Sequence, residues 1–169
     1  MDSKLHDFFL REYEYVIRFL MRCGASFKSA EAAAQQAFAQ ASRLAQRGTW
    51  ASIPNQEAWI RTVAYNYLGL PYPQLVQAKP ISYLFEGEPL RDSTSDLPLE
   101  STRLLKALEG LPADQRVVMA FKMDQFPDKI IAVHMGMKRQ EVRDLHEDAR
   151  RALARSLAEM TTPPEEANP

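Results

Sequence analysis

Residues 127–158, PDKIIAVHMGMKRQEVRDLHEDARRALARSLA, contain the strongest fold signal in the chain. Pro127 suits the first turn of a helix because that position needs no amide hydrogen, and Gly136 can adopt the left-handed conformation that ends a helix. The stretch therefore predicts a short helix, a glycine turn and a longer helix from about residue 139 to 160. This is the layout of a helix-turn-helix, and an ordinary αα-hairpin has it too. The apolar face of the longer helix would consist of Val142, Leu145, Ala149 and Leu153.

The spacing of apolar residues predicts helices along most of the remaining chain. Three such segments precede residue 70, and Ser26 and Asn55 stand where the second and third need an N-cap. After residue 100, Ser101–Glu109 forms a short helical segment, and Pro112 suits the first turn of the next. No segment alternates apolar and polar residues as a half-buried strand would. The predicted fold class is therefore all-α.

The region 71–100 differs in composition from its surroundings. It contains five prolines and Gly87, and proline removes an amide donor and disfavours helix in the residue before it. A segment of this length is too long for a loop inside one compact domain. The sequence therefore predicts two small helical domains, 1–70 and 101–160, joined by a flexible linker at 71–100. A disordered tail is predicted at 161–169.

Composition excludes several classes of protein. The chain has 169 residues with 21 basic and 22 acidic side chains, a single cysteine and three scattered histidines. An internal disulfide is impossible, and no zinc-ligand spacing occurs. The sequence has neither an apolar stretch of about 18 residues, which a membrane span needs, nor a signal-peptide layout at its start. It also lacks a glycine-rich phosphate loop and a nucleophile signature. We expect a cytoplasmic protein without metal or cofactor that is not an enzyme.

The order of these parts resembles a bacterial RNA polymerase sigma factor of the extracytoplasmic-function (ECF) type. The resemblance extends over about residues 7–157 and depends on the order and spacing of several short motifs. The motifs are Phe9-Leu10-Arg11-Glu12-Tyr13, Ala30-Glu31 with Gln35 and Phe38, Ala58-Trp59-Ile60-Arg61-Thr62-Val63-Ala64 with Asn66, Leu111-Pro112 with Gln115-Arg116-Val117, Ile131-Ala132, and Ala149-Arg150-Arg151-Ala152-Leu153. In that family, sigma domain 2 binds core polymerase and opens the −10 element of the promoter. Sigma domain 4 reads the −35 element with its helix-turn-helix.

The resemblance implies roles for residues of the first domain. The polymerase-binding helix of the family matches the segment with Gln35, Gln36 and Phe38, although the spacing of Phe38 equally fits a core position. The helix that meets the non-template strand matches the segment with Arg61, Tyr65 and Asn66. Cations beside aromatic rings are the groups that hold single-stranded DNA. Core RNA polymerase and promoter DNA are therefore the expected partners, with an anti-sigma factor as a further one.

The longer helix of the 127–158 stretch would be the recognition helix. Lys138, Arg139, Gln140 and Arg143 stand at its N-terminal end, which enters the major groove in this motif. Their side chains suit base edges and phosphates. The alternative is a solvated rim in which the arginines pair with acidic residues of the same helix.

Several residues depart from the family pattern. Lys28 and Ala32 stand where the family has acidic residues, Pro71 ends the segment that would continue along DNA, and Asp144 and Asp148 lie in the recognition helix. Fewer phosphate contacts weaken DNA binding. Two functions follow as hypotheses: an alternative sigma factor that directs promoter-specific initiation, and a sigma-derived protein that has lost promoter recognition and acts as a regulator or adaptor through protein contacts.

Overall fold

The computed structural model describes residues 3–69 and 99–162, referred to below as the N-terminal and C-terminal halves. Every regular element in these ranges is helical, which confirms the all-α prediction. The predicted linker falls outside the described residues up to residue 98, and the predicted tail does so from residue 163. The helices are α1 (Ser3–Arg22), α2 (Phe27–Gln46), α3 (Gln56–Tyr67), α4 (Leu99–Glu109), α5 (Ala113–Met123), α6 (Asp128–Met135) and α7 (Arg139–Thr161), with a 3-10 turn at Trp50–Ser52.

The N-terminal half is a three-helix unit whose two predicted caps are present. The Ser26 hydroxyl accepts a hydrogen bond from the Ser29 amide at 3.2 Å, and the Asn55 carboxamide oxygen accepts one from the Ala58 amide at 2.8 Å. Each cap satisfies an amide that has no partner inside its helix. These caps fix where α2 and α3 begin, and so which faces of the two helices turn towards α1.

The C-terminal half contains the expected helix, glycine turn and helix. Gly136 has a φ of 64°, the left-handed conformation that ends α6. The Glu141 carboxylate then accepts a hydrogen bond from the Lys138 amide at 2.6 Å, which closes the first turn of α7. α7 buries Val142, Ala149 and Leu153. The predicted apolar face of this helix is therefore confirmed, with Leu145 half-buried at its edge.

The two halves share one hydrophobic core. α5 contacts α1, and α6 contacts α3. The rings of Phe19 in α1 and Phe121 in α5 lie 4.7 Å apart between centroids, and both side chains are fully buried. A second, smaller cluster joins α4 to α7 through Leu108 and Leu153. The prediction of two separate small domains is thus not confirmed, since a unit of this size gains much by burying its apolar surface against another.

Among the described helices, none combines the length and the apolar character needed to cross a membrane.

Candidate nucleic-acid interface

The N-terminal end of α7 is exposed. Lys138, Arg139, Gln140 and Arg143 all lie on the surface of the protein, as predicted from the sequence. The Gln140 carboxamide nitrogen donates to Asp144 Oδ1 at 2.9 Å, within one turn of the same helix. The apolar face of α7 anchors the helix on the opposite side, so these side chains can reach a ligand without any change in packing.

Asp128, at the first position of α6, connects three helices around this surface. It accepts hydrogen bonds from Lys122 Nζ at 2.8 Å and from Arg143 Nε at 3.4 Å. The Lys122 hydrogen bond is the main cause that lowers the pKa of Asp128. The side chain of Arg143 nevertheless remains 54% exposed. Asp128 therefore orients Arg143 without removing it from solvent.

Acidic side chains are interspersed with the basic ones along α7. Glu141, Asp144, Glu147 and Asp148 are exposed, and Asp148 pairs with Arg151 at 2.6 Å. The surface of α7 is consequently mixed in charge beyond its first turn. Pairing within the helix, which the alternative interpretation predicts, is present for Arg151 with Asp148, whereas Arg143 pairs with Asp128 of α6 and stays accessible.

Arg61, which the resemblance assigns to DNA, is only 3% exposed and does not face solvent in this structure. Its Nε donates to Asp124 Oδ2 at 2.7 Å, and its Nη1 donates to Glu12 Oε2 at 3.1 Å. The ring of Phe126 lies 5.0 Å from the guanidinium carbon. A buried arginine needs such partners because removing its charge from water is costly.

Thr62, the next residue of α3, makes a second buried contact with the C-terminal half. Its hydroxyl donates to the Ala58 carbonyl oxygen at 2.9 Å and lies 2.7 Å from His134 Nδ1. Because a hydroxyl has a single hydrogen, His134 Nδ1 must carry the proton that completes this second bond. Burial lowers the pKa of His134, which favours the neutral ring.

Tyr65, which the resemblance also assigns to DNA, is buried in this structure as well. It is 2% exposed, and burial raises the pKa of its hydroxyl. Cys23 and Arg116 are its charged or titratable neighbours. Asn66 is half-buried on the same helix. α6 and the segment between α5 and α6 cover the face of α3 that the resemblance assigns to single-stranded DNA.

The three residues predicted to bind polymerase are placed differently from one another. Gln35 is exposed and Gln36 is half-buried. Phe38 is in the core, with its ring centroid 5.0 Å from that of Phe9 and 6.0 Å from that of Phe8. In this structure Phe38 cannot touch a partner, so the core alternative for this residue is the one observed.

A groove of about 440 Å³ lies beside the buried ion pairs. Its lining includes Glu12, Glu57 and Asp124, together with the aromatic rings of Tyr15 and Phe126. Arg11 at its rim pairs with Glu12 at 3.0 Å and with Glu57 at 3.3 Å. The carboxylates of the groove are therefore engaged by arginines of the protein itself.

Sequence reasoning missed Glu12, Asp124 and His134. Glu12 carried a usable signal, because it stands four residues from both Phe8 and Val16, two buried positions of α1. A charge at such a position indicates a buried ion pair. Asp124 follows the end of α5 and carried no comparable signal. Its partners come from the other half of the chain.

Within the described ranges, no three His, Cys, Asp or Glu side chains are grouped so that they could hold a metal ion. Comparisons of the chain with protein-family models, with curated proteins and with solved structures gave no match.

Proposed function

We propose that this protein is a transcription initiation factor of the ECF sigma type, which binds core RNA polymerase and reads duplex promoter DNA with the N-terminal end of α7. One observation carries the proposal. The second helix of a helix-turn-helix presents Lys138, Arg139, Gln140 and Arg143 to solvent, while its opposite face is fixed in the core. The proposal places the protein in the cytoplasm, where polymerase acts, and includes an anti-sigma factor as a further partner.

The chemistry of these side chains suits major-groove recognition. Arginine can form two hydrogen bonds with guanine, and glutamine can do so with adenine. Lys138 and Arg139 stand beside the first amides of α7, an end of the helix that attracts phosphate. Asp128 limits the freedom of Arg143, so less conformational entropy is lost when that side chain meets a base.

The surface of α2 supports the proposed polymerase contact. Gln35 is exposed and Gln36 half-exposed, so both amides can pair with polar groups of a partner. Phe38 fixes the rotation of α2 by packing against α1. In this proposal Phe38 holds the contact helix in place, and Gln35 and Gln36 make the contact.

A second candidate function is a sigma-derived regulator that acts through protein contacts. The burial of Arg61 and Tyr65 favours it, because the side chains expected to hold single-stranded DNA are covered. The acidic residues of α7 favour it as well, because they reduce the number of phosphate contacts that the helix can make. Each phosphate contact accounts for about 0.9 of the slope of log DNA affinity against log salt, and its loss weakens binding. The two candidates differ in whether the protein directs transcription.

Run-off transcription tests the proposal. Core polymerase from the host is incubated with fragmented genomic DNA, with or without the protein, and transcripts are mapped. Promoter-specific transcripts that depend on the protein are expected. Arg143→Glu should abolish them, whereas the matched change Arg155→Glu, in the exposed C-terminal part of the same helix, should not. Polymerase binding without transcripts would favour the regulator, and unchanged transcripts with Arg143→Glu would contradict the assigned docking of α7.

A further inference from the structure

One face of α3 is closed off by residues from the other half of the chain. Arg61 meets Asp124 and Phe126, and Thr62 meets His134. Tyr65, one turn after Arg61, is 2% exposed. The three α3 residues stand at positions i, i+1 and i+4, which share one side of a helix. Two of them are the cation and the aromatic ring that the sequence resemblance assigns to single-stranded DNA.

Asp124 is the charge that holds this contact together. Its carboxylate accepts from Arg61 at 2.7 Å and from Arg22 at 2.8 Å, and its side chain is 7% exposed. Both arginines belong to the N-terminal half, where Glu12 is the other acidic partner of Arg61. Removing Asp124 from this position would leave two buried or half-buried cations with one carboxylate between them. Such an uncompensated charge is strongly unfavourable.

We propose that the described arrangement is a closed state, in which α6 and the segment between α5 and α6 withhold the α3 face from single-stranded promoter DNA, and in which Asp124 is the contact that keeps it closed. The inference rests on the proposed function, because it takes α3 to be the helix that meets the non-template strand. In the open state Arg61 and Tyr65 become available together, as a cation beside a stacking ring. Glu12 then remains to neutralise Arg61 in part.

A closed state of this kind controls DNA binding through the fraction of molecules that are open. If only a small fraction of molecules is open, the apparent affinity for single-stranded DNA falls by that fraction. A partner that binds the open state better, such as polymerase, raises the open fraction. The protein alone should therefore bind single-stranded DNA weakly, whatever the intrinsic affinity of the α3 face.

The single cysteine provides a reporter that does not depend on any DNA. Cys23 is 2% exposed and lies where the end of α1 meets α5, and its carbonyl oxygen accepts from Arg116 Nη1 at 3.4 Å. Arg116 also reaches the Leu111 carbonyl oxygen at 2.9 Å. Besides burial, Arg116 and Asp124 also act on the pKa of the Cys23 thiol, so this side chain lies near the C-terminal half and gains exposure when the halves separate. Its rate of reaction with DTNB therefore measures opening.

The test compares two variants that change charge equally. Asp124→Lys places a third cation beside Arg61 and Arg22, and Glu109→Lys makes the same change at the exposed end of α4. Circular dichroism checks that each variant is folded. If Asp124→Lys does not fold, Thr62→Val replaces it, because this variant removes the His134 contact with little change in shape. The DTNB rate and the affinity for a labelled single-stranded oligonucleotide of mixed sequence are measured for each.

We expect the opening variant to raise the DTNB rate by about tenfold or more, since a buried ion pair is lost. Its affinity for the oligonucleotide should rise by about the same factor as the DTNB rate, because both scale with the open fraction, and Glu109→Lys should change neither value comparably. A faster DTNB reaction without a gain in affinity would overturn the role of α3 in DNA binding while leaving the closed contact. An unchanged DTNB rate in the folded opening variant would overturn the closed state itself. Neither result bears on duplex recognition by α7, which run-off transcription tests separately.

Discussion

α3 and α7 carry similar side chains for nucleic acid, arginine with a polar or aromatic neighbour, and the structure treats them in opposite ways. Arg143 of α7 is more than half exposed and pairs with a neighbouring helix at its surface. Arg61 of α3 is buried between the carboxylates of Glu12 in α1 and Asp124 just after α5. The comparison teaches that residue type and helix position do not determine whether a cation is available. Packing by a distant part of the chain determines whether the cation is available to a ligand.

The largest expected difference between the two regions is in stability. Arg61→Ala should lower the free energy of unfolding by about 3–5 kcal/mol, because Glu12 and Asp124 would lose their shared buried partner. Arg143→Ala should lower it by about 1 kcal/mol or less, as for an exposed ion pair. Urea denaturation of both variants, followed by circular dichroism, measures the two values. Equal losses would show that the two arginines have equivalent environments, which would contradict the burial described above.

A smaller effect is expected from pH at the α3–α6 contact. Because burial lowers the pKa of His134 in the folded chain, the unfolded chain takes up this proton first as the pH falls. The stabilisation from the neutral ring is therefore complete above about pH 6.5, the usual histidine value, and is lost progressively at lower pH. Urea denaturation between about pH 7 and pH 5 should show this decline.

Two variants separate His134 from other titrating groups. His134→Gln keeps a donor for the Thr62 hydroxyl and removes the titration, so the decline below pH 6.5 should become shallower. It should not vanish, because burial also lowers the pKa of His146. His146→Gln removes the titration of that second histidine, so a protein with both changes should show the shallowest decline. If the free energy of unfolding declined with falling pH equally in the wild-type protein and in His134→Gln, the α3–α6 contact would be insensitive to this proton.

The sequence was sufficient to predict every feature that depends on local periodicity. The caps Ser26 and Asn55, the glycine end of α6 and the buried face of α7 follow from spacing and residue type, and the structure contains all of them. The spacing of Phe38 equally indicated its core position. The burial of Arg61 and Tyr65 could not be predicted in this way. It depends on Asp124 and Phe126, more than fifty residues further along the chain, and helical spacing carries no information about such contacts.

The smallest expected effect concerns Arg143, the exposed arginine of the two. If Arg143 contacts a phosphate or base of duplex DNA, Arg143→Gln should reduce the slope of log affinity against log salt by about 0.9. Arg155→Gln removes the same charge from the far end of α7. Its slope should equal that of the wild-type protein within experimental error. Fluorescence anisotropy with a duplex that contains a mapped target promoter, at several salt concentrations, gives both slopes. Equal slopes for the two variants would mean that charge anywhere on α7 acts only through the general field of the protein, and α7 would then resemble α3 in making no specific contact.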